Sequence, residues 1–578
     1  MRVEGDELEF NLLDEEWIPV LPLEGRHVEC VGLSEALLNG RRYRRLVGSS
    51  PTMTAALHRL LLALLHRVYG PDGPDRWMEL WNGNEGLPAA PFHDYRERWE
   101  GRFDLFHERH PFFQCPALHN RPAWDARREP HRSHSTAELV AHWVTGSNRT
   151  LFDHTTADQR PVLKPDEAAR WLVTLQAYDT GGTKTPFNKT KESKRGPANR
   201  FACCLLEGRD LHETLLLNTV PYEPGRRPVG TTEFDAPAWE QDPPGPEPDS
   251  RLPNGWTDVL TWPSRRALLF PGKDAQGNAV VEGVLRTPGV TMEKDLSPYI
   301  ELMAAFRQEW LAKDRSGKRN AVMLEGVRGV WRHTQELLLP VQARWHVSWR
   351  DGKRHDFPLM PLAEPDRERP AALEHVAEMT EVEDLADDRI LTLRVFGQEL
   401  DPKGGGGIVA WFEEAVPVPV YLLRARDPRL GGLIGHAVAF AADLGDALRA
   451  MERHYRESFA PDTGRGRQQP KSRADTMPSA TELEYWPRLV APFADLLREL
   501  ATCVTNADFT AAGRRWGSFA LRTARSAAEE WSEGEPRSDR MLMATAACSE
   551  EFMTTSWRLS EFYRTGLAGV IRHSEEDR

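Results

Sequence analysis

Apolar positions recur along this chain in two different rhythms, and the change of rhythm outlines its organisation. Ser50-Pro51 supplies a hydroxyl cap and a proline for a first helical turn, so a helix is predicted from there to about Tyr69, where Gly70 stops it. Short β-prone runs, Ile390–Phe396 and Ile408–Phe412, are joined by Gln398 to Gly407, a stretch ending in four glycines. They predict a hairpin with a long, mobile tip. Beyond Pro417 and Pro419 the rhythm becomes helical throughout. Leu430, Leu433, Ile434, Ala437, Ala441, Leu444, Leu448 and Met451 recur at three- and four-residue steps. Ser479 and Glu482 are spaced as a capping box, and Leu489, Phe493, Leu496, Leu497 and Leu500 continue the next stripe. Two further helices are predicted over 507–532 and 538–566, separated by Gly534 and Pro536. Four such helices predict a bundle that begins near 418–428.

Two segments read as surface. Residues 235–249, rich in proline and acid, predict a loop. Residues 364–388 hold ten Asp/Glu against two Arg, so an exposed acidic helix is expected from Ala371 onward.

With 578 residues the chain exceeds what one core of roughly 250–300 residues can hold, so two or three domains are expected. The apolar run Ala55 to Leu65 is interrupted by His58 and Arg59 and is too short to cross a bilayer, which takes about 18 residues. With no basic-then-apolar leader either, a cytoplasmic protein without membrane contact is expected. Six scattered cysteines form no C-x-x-C pair, so neither a disulfide framework nor a zinc knuckle is expected. A net charge of −13 argues against coating nucleic acid with the whole surface but leaves room for a local basic groove.

Catalytic patterns are incomplete. His93-Asp94 is a bare dipeptide, and His107-Glu108-Arg109-His110 is one residue short of the spacing that sets two histidines on one helical face. His131 and His134 lack further ligands, and the glycines 404–407 are not followed by the Lys-Ser/Thr of a phosphate loop. A metal-dependent nuclease or phosphohydrolase built on His93 and Asp94 stays open as an alternative. Basic segments point elsewhere. Lys184, Lys189, Lys191, Lys194, Arg195 and Arg200 face only Glu192 and follow Asp179-Thr180-Gly181-Gly182-Thr183. Glycine turns with lysines nearby suit phosphates, because exposed N–H groups and ammonium charges both favour anions. Further basic clusters lie at Arg307, Lys313, Arg315, Lys318 and Arg319, and at Arg465, Arg467, Lys471 and Arg473.

Six segments, in order, resemble one family. They are Phe10 to Val20 (FNLLDEEWIPV); Ser50-Pro51 leading into His58 to Leu65; Phe103 to Phe106 with His110 to Gln114; Gly146 to His154 around Asn148; Thr214 to Asn218; and Leu260 to Arg266 (LTWPSRR). Together with the C-terminal bundle they are similar to the CasA family, the large subunit of type I-E CRISPR Cascade. The resemblance implies an α+β chain: a large mixed α/β domain over 1–420, then a four-helix bundle over 421–578. It implies a non-catalytic subunit, without cofactor or metal, that reads the protospacer-adjacent motif (PAM) on double-stranded DNA and starts strand separation. Its implied partners are the other Cascade subunits, the crRNA and a recruited helicase-nuclease. A purely structural assembly role is the remaining alternative.

Carried onto this sequence, the resemblance implies that Asn148, Arg149 and Thr150 begin a first DNA-contacting loop. Thr180, Gly181, Gly182, Thr183 and Lys184 match a glycine loop that approaches the motif from the minor groove. The tip Leu400-Asp401-Pro402-Lys403 matches a wedge inserted beneath it, with Pro402 where some members place glutamine. A lysine that touches the motif corresponds to Lys294 or Lys273. Cysteines found centrally in some members are missing between Arg265 and Arg319. Lys184, Lys189, Lys191, Lys194 and Arg195 are expected on phosphates.

Overall fold

The computed structural model describes residues 8–83, 85–120, 135–141, 161–222, 232–293, 295–308, 319–324, 328–350, 353–359, 368–401, 407–459, 478–535 and 538–576. Two compact units share the chain. The first comprises Met1–Leu324, Pro370–His375 and Thr392–Ala415, and the second Glu325–Arg369, Val376–Leu391 and Val416–Arg578.

The first unit mixes small sheets and helices. An antiparallel sheet of β1 (Ile18–Pro22), β2 (Glu29–Val31) and β3 (Tyr43–Leu46) has β1 in its centre. Just before it, Asp104 Oδ1 accepts hydrogen bonds from the backbone N–H groups of Phe10 and Phe106, at 2.9 and 3.1 Å. Two of the family-like segments are thus fastened to each other. The helix expected after Ser50 is α1 (Pro51–Tyr69), and Ser50 Oγ accepts from Met53 N at 3.2 Å. Nearly every position of α1 is buried, including the polar residues that interrupt its sequence. Arg59 meets Glu301 through two 3.0 Å contacts, and the His58 Nδ1 lies 2.8 Å from the Thr54 carbonyl. Burial, helped by Arg394, pulls His58 down to about 3, so it is neutral in the core.

Four further pieces of this unit position the site. Helix α2 (Pro165–Tyr178) starts with Pro165 and the acids Asp166 and Glu167, which complement its positive end. A two-residue ladder pairs β4 (Gly182–Thr183) with β5 (Glu192–Ser193). Strand β6 (Cys203–Glu207) is followed by a long antiparallel hairpin of β7 (Arg265–Lys273) and β8 (Ala279–Pro288). The hairpin predicted ahead of the bundle is β9 (Ile390–Leu400) and β10 (Ile408–Pro419), of which Thr392–Ala415 belongs to this unit, and β9 lies between β10 and β6 in a three-stranded sheet.

One of the two surface expectations is corrected. The helix at Ala371–Glu378 is not an exposed acidic one: Ala371, Ala372, Leu373, His375 and Val376 are buried, and the acids from Glu381 onward fall in the segment after it. The 235–249 segment is a surface loop as expected, and it is anchored to the protein. Trp239 is buried, its indole N–H donates to Tyr95 Oη at 2.7 Å, and Arg67 clamps Glu240 with contacts of 2.7–3.0 Å.

The second unit holds the four-helix bundle: α3 (Pro428–Glu457), α4 (Ala480–Leu500), α5 (Asn506–Gly534) and α6 (Asp539–Glu576). All eight residues of the stripe from Leu430 to Met451 are buried, as are the five from Leu489 to Leu500. Ser479 and Glu482 form the expected capping box. Small residues let the helices approach closely: a Cβ on Gly445 would fall 2.3 Å from the Trp486 ring. Among the described residues, no helix is long and apolar enough to cross a membrane.

Candidate nucleic-acid interface

Every helix leaves its last carbonyls without intrahelical donors, and the way α2 satisfies them builds the site. Its end is met from several directions. Leu175 O accepts from Asp179 N at 3.0 Å, and Gln176 O accepts from Ser264 Oγ at 2.6 Å. Tyr178 O accepts from the Gln398 amide at 2.9 Å. Asp179 O takes both Gly196 N, at 2.9 Å, and the Asn199 amide, at 3.2 Å.

From that anchor the chain reverses. Gly181 and Gly182 have φ of +77° and +83°, the left-handed region that glycine adopts without strain. Gly181 is buried, and a Cβ there would meet Arg195 N and Ser193 O at 3.0 Å each. Its lack of a side chain is therefore used inside the protein, by the returning strand. Gly182 is exposed and remains the position where another backbone could come close.

The carboxylate of Asp179 is the hub beneath this turn. It receives Gly181 N at 2.7 Å, Lys184 Nζ at 3.2 Å, Arg286 Nη1 at 3.1 Å, and the Arg265 guanidinium. Burial alone would raise its pKa; Arg265, then Lys184 and Arg286, overturn that and hold it well below the carboxylate range. Arg265 also donates to Lys194 O at 2.6 Å, joining the two ends of the β4–β5 hairpin. Glu138 lies 3.9 Å from Arg286, so among the described residues three cations face two carboxylates.

Lys184 departs from expectation. Its side chain is 9% exposed and aimed at Asp179, so it holds the hairpin from within instead of reaching outward to phosphate. Burial pulls its ammonium down to about 8, against the opposing pull of Asp179. The expected contacts that do face solvent are Thr183, Lys189, Lys191, Lys194 and Arg195, all exposed, with Thr180 half-buried. Between the strands the loop is not loose: Lys184 N donates to Lys191 O at 2.8 Å. Phe187 packs on the apolar cluster of Cys115, Leu118, Leu268 and Leu285. The hairpin is thus held at its base by charge and farther out by one aromatic ring, with its lysines on the outside.

The second predicted element is brought to the same place. Gln398 on β9 reaches the end of α2, and the Trp411 indole on β10 donates to Gln398 Oε1 at 3.3 Å. The tip is closed by Asp401 N donating to Gly407 O at 2.8 Å. Pro402 and Lys403 lie outside the described residues, as do Asn148, Arg149, Thr150 and Lys294. Lys273, the other candidate for the motif-touching lysine, is exposed at the end of β7. Sequence reasoning missed Ser264, Arg265, Arg286, Gln398 and Trp411. Ser264 and Arg265 did carry a signal, since both sit in the family-like segment Leu260 to Arg266.

The catalytic alternative gains nothing here. His93 and Asp94 are exposed neighbours on the helix Ala89–Trp99. Among the described residues, no group of three or more His, Cys, Asp and Glu could hold a metal ion.

Comparison with known proteins agrees with this architecture. The profile of the family described as CRISPR-associated protein Cse1 matches residues 11–527. The CRISPR-associated protein CasA/Cse1 of Thermus thermophilus is 33% identical over 497 residues, 84% of this chain and 86% of that protein. The crystal structure of Cse1 from Acidimicrobium ferrooxidans superposes with a TM-score of 0.72 at 25% identity, covering 97% of this chain and all of that one. A chain from a solved CRISPR RNA-guided surveillance complex has the same fold, with a TM-score of 0.67 at 19% identity over 94% of this chain and 99% of that one. The chain belongs to the CRISPR-associated Cse1 family, also called CasA.

Proposed function

We propose that this chain is the large, non-catalytic subunit of a type I-E RNA-guided surveillance complex, Cascade. In it the chain reads the PAM on double-stranded DNA and begins the strand separation that lets guide RNA pair with its target. One observation carries the reading. A hairpin with an exposed glycine and an outer row of Lys189, Lys191, Lys194 and Arg195 is fixed to a buried charge cluster, beside a second hairpin tied to the same helix end. Exposed cations bind phosphates regardless of sequence, and a backbone without side chains can enter a groove. A firm base lets such a hairpin read shape without first being ordered. The division of labour, base pairing for sequence and protein for a short motif, suits a subunit without an active site. Its partners are duplex DNA, the crRNA, the other subunits and a helicase-nuclease recruited after target binding.

The test is direct. The chain is co-expressed with crRNA and its companion subunits, and the purified complex is challenged with a duplex library randomised beside a fixed target. Selective retention of a short flanking motif, abolished when this chain is left out, supports the proposal. Retention indifferent to the flank, or unchanged without the chain, overturns it.

A further inference from the structure

We infer that Gln398 is a positioning residue that fixes the strand-separating hairpin to the glycine hairpin, so that the first is set by where the second docks. The inference rests on the functional reading above and adds a component to it. Gln398 is 7% exposed and makes a hydrogen bond at each end of its amide. The N–H₂ group donates to Tyr178 O, the residue directly before the Asp179 hub, and the carbonyl accepts from Trp411 on the partner strand. One side chain therefore joins the base of the glycine turn to both strands of the second hairpin.

The chemistry needs an amide. A carboxylate in its place would turn an acceptor toward the Tyr178 carbonyl, and an apolar side chain would leave that carbonyl and the Trp411 indole without this bond. The position matters equally. The backbone bond that closes the tip, Asp401 N to Gly407 O, lies three residues beyond Gln398. That is about 10 Å of strand, too short for much slack. A shift at the end of α2, where the glycine turn begins, is passed to the tip through this link.

The experiment uses the full chain assembled with guide RNA and companion subunits. Four forms are compared: wild type, Gln398→Met, a tip deletion of residues 400–405, and both changes together. Association with motif-bearing duplex and permanganate reactivity of unpaired target thymines are read on linear and on pre-opened DNA. Gln398→Met should associate like wild type and open linear DNA about tenfold more slowly, the worth of one well-made hydrogen bond. It should be normal on pre-opened DNA, and should add nothing once the tip is gone, because the residue acts through the tip. Trp411→Phe, which removes one N–H and keeps an aromatic ring, should show the same pattern more weakly, and it stands in if Gln398→Met does not assemble. Equal slowing with and without the tip, or association weakened in step with opening, would reduce Gln398 to a support of the fold. Slow opening in the tip deletion with normal opening in Gln398→Met would overturn the inference and leave the functional reading standing. Normal opening in the tip deletion itself would overturn the reading on which it rests.

Discussion

Arg265 and Asp179 form a buried ion pair across 86 residues of sequence, and both side chains are almost wholly shielded from water. The guanidinium that neutralises Asp179 also grips the Lys194 carbonyl at 2.6 Å. Folding of the β7 strand thus fixes the start of the glycine hairpin and its return together.

A buried charge left wholly without a partner costs roughly 3–5 kcal/mol, but Asp179 keeps Lys184 and Arg286 when Arg265 is removed. Arg265→Ala should therefore lower unfolding free energy by less than that and speed hydrogen exchange through 182–195. Arg265→Lys keeps the charge but cannot reach two acceptors with a planar fork. It should keep most of the stability and still loosen the hairpin. Chemical denaturation and exchange mass spectrometry check both; wild-type exchange in Arg265→Lys would show that the charge alone suffices.

The two glycines should respond differently. Gly181→Ala places a Cβ against the returning backbone at positive φ, so it should destabilise the hairpin and weaken every kind of DNA binding. Gly182 faces outward. Asparagine tolerates positive φ better than most residues, so Gly182→Asn should fold, yet lose motif-dependent binding while keeping flank-independent binding. Competition binding on motif and scrambled duplexes separates the two; equal weakening on both would make Gly182 a folding residue only.

The outer cations should act through counterion release. Replacing Lys189, Lys191, Lys194 and Arg195 by alanine should flatten the dependence of log affinity on log salt by about 0.9 for each phosphate left without its cation. Lys184→Ala should leave that slope nearly unchanged, because its ammonium faces Asp179. A slope change from Lys184 equal to that from the outer residues would contradict the inward orientation.

Lys184 gives a pH prediction with a defined sign. Its folded pKa is about 8 against an ordinary 10.5, so between those values the unfolded chain binds the proton more readily. Stability contributed at this position should then rise with pH across that window and be lowest below it. The melting temperature of wild type relative to Lys184→Met should climb between about pH 8 and 10. A flat difference would mean that the ammonium is solvated.

What the sequence disclosed depended on distance. The bundle was legible because its apolar positions repeat every three or four residues and Ser479 announces its own cap, all local signals. The β9–β10 hairpin was legible for the same reason. The helix at Ala371–Glu378 was misjudged because counting acids over 364–388 outweighed the apolar Ala371, Ala372, Leu373 and Val376 that bury it. Lys184 was placed on phosphate because a run of charge gives no hint of which ammonium turns inward. Asp179, Arg265 and Arg286 come together only when α2, β7 and β8 pack, so no window along the chain contains that hub.

On the proposed function, the β9–β10 tip begins strand separation after motif-dependent docking. Permanganate footprinting of target thymines in complexes lacking residues 400–405 reads that step. Association with motif-bearing duplex should persist, since phosphate contacts elsewhere supply it. Opening of linear target should slow sharply, and negative supercoiling or a pre-opened bubble should restore it, because either lowers the unpairing cost that the tip offsets. Thymines that become reactive on linear DNA as fast as in wild type would contradict the account and assign strand opening to another part of the complex.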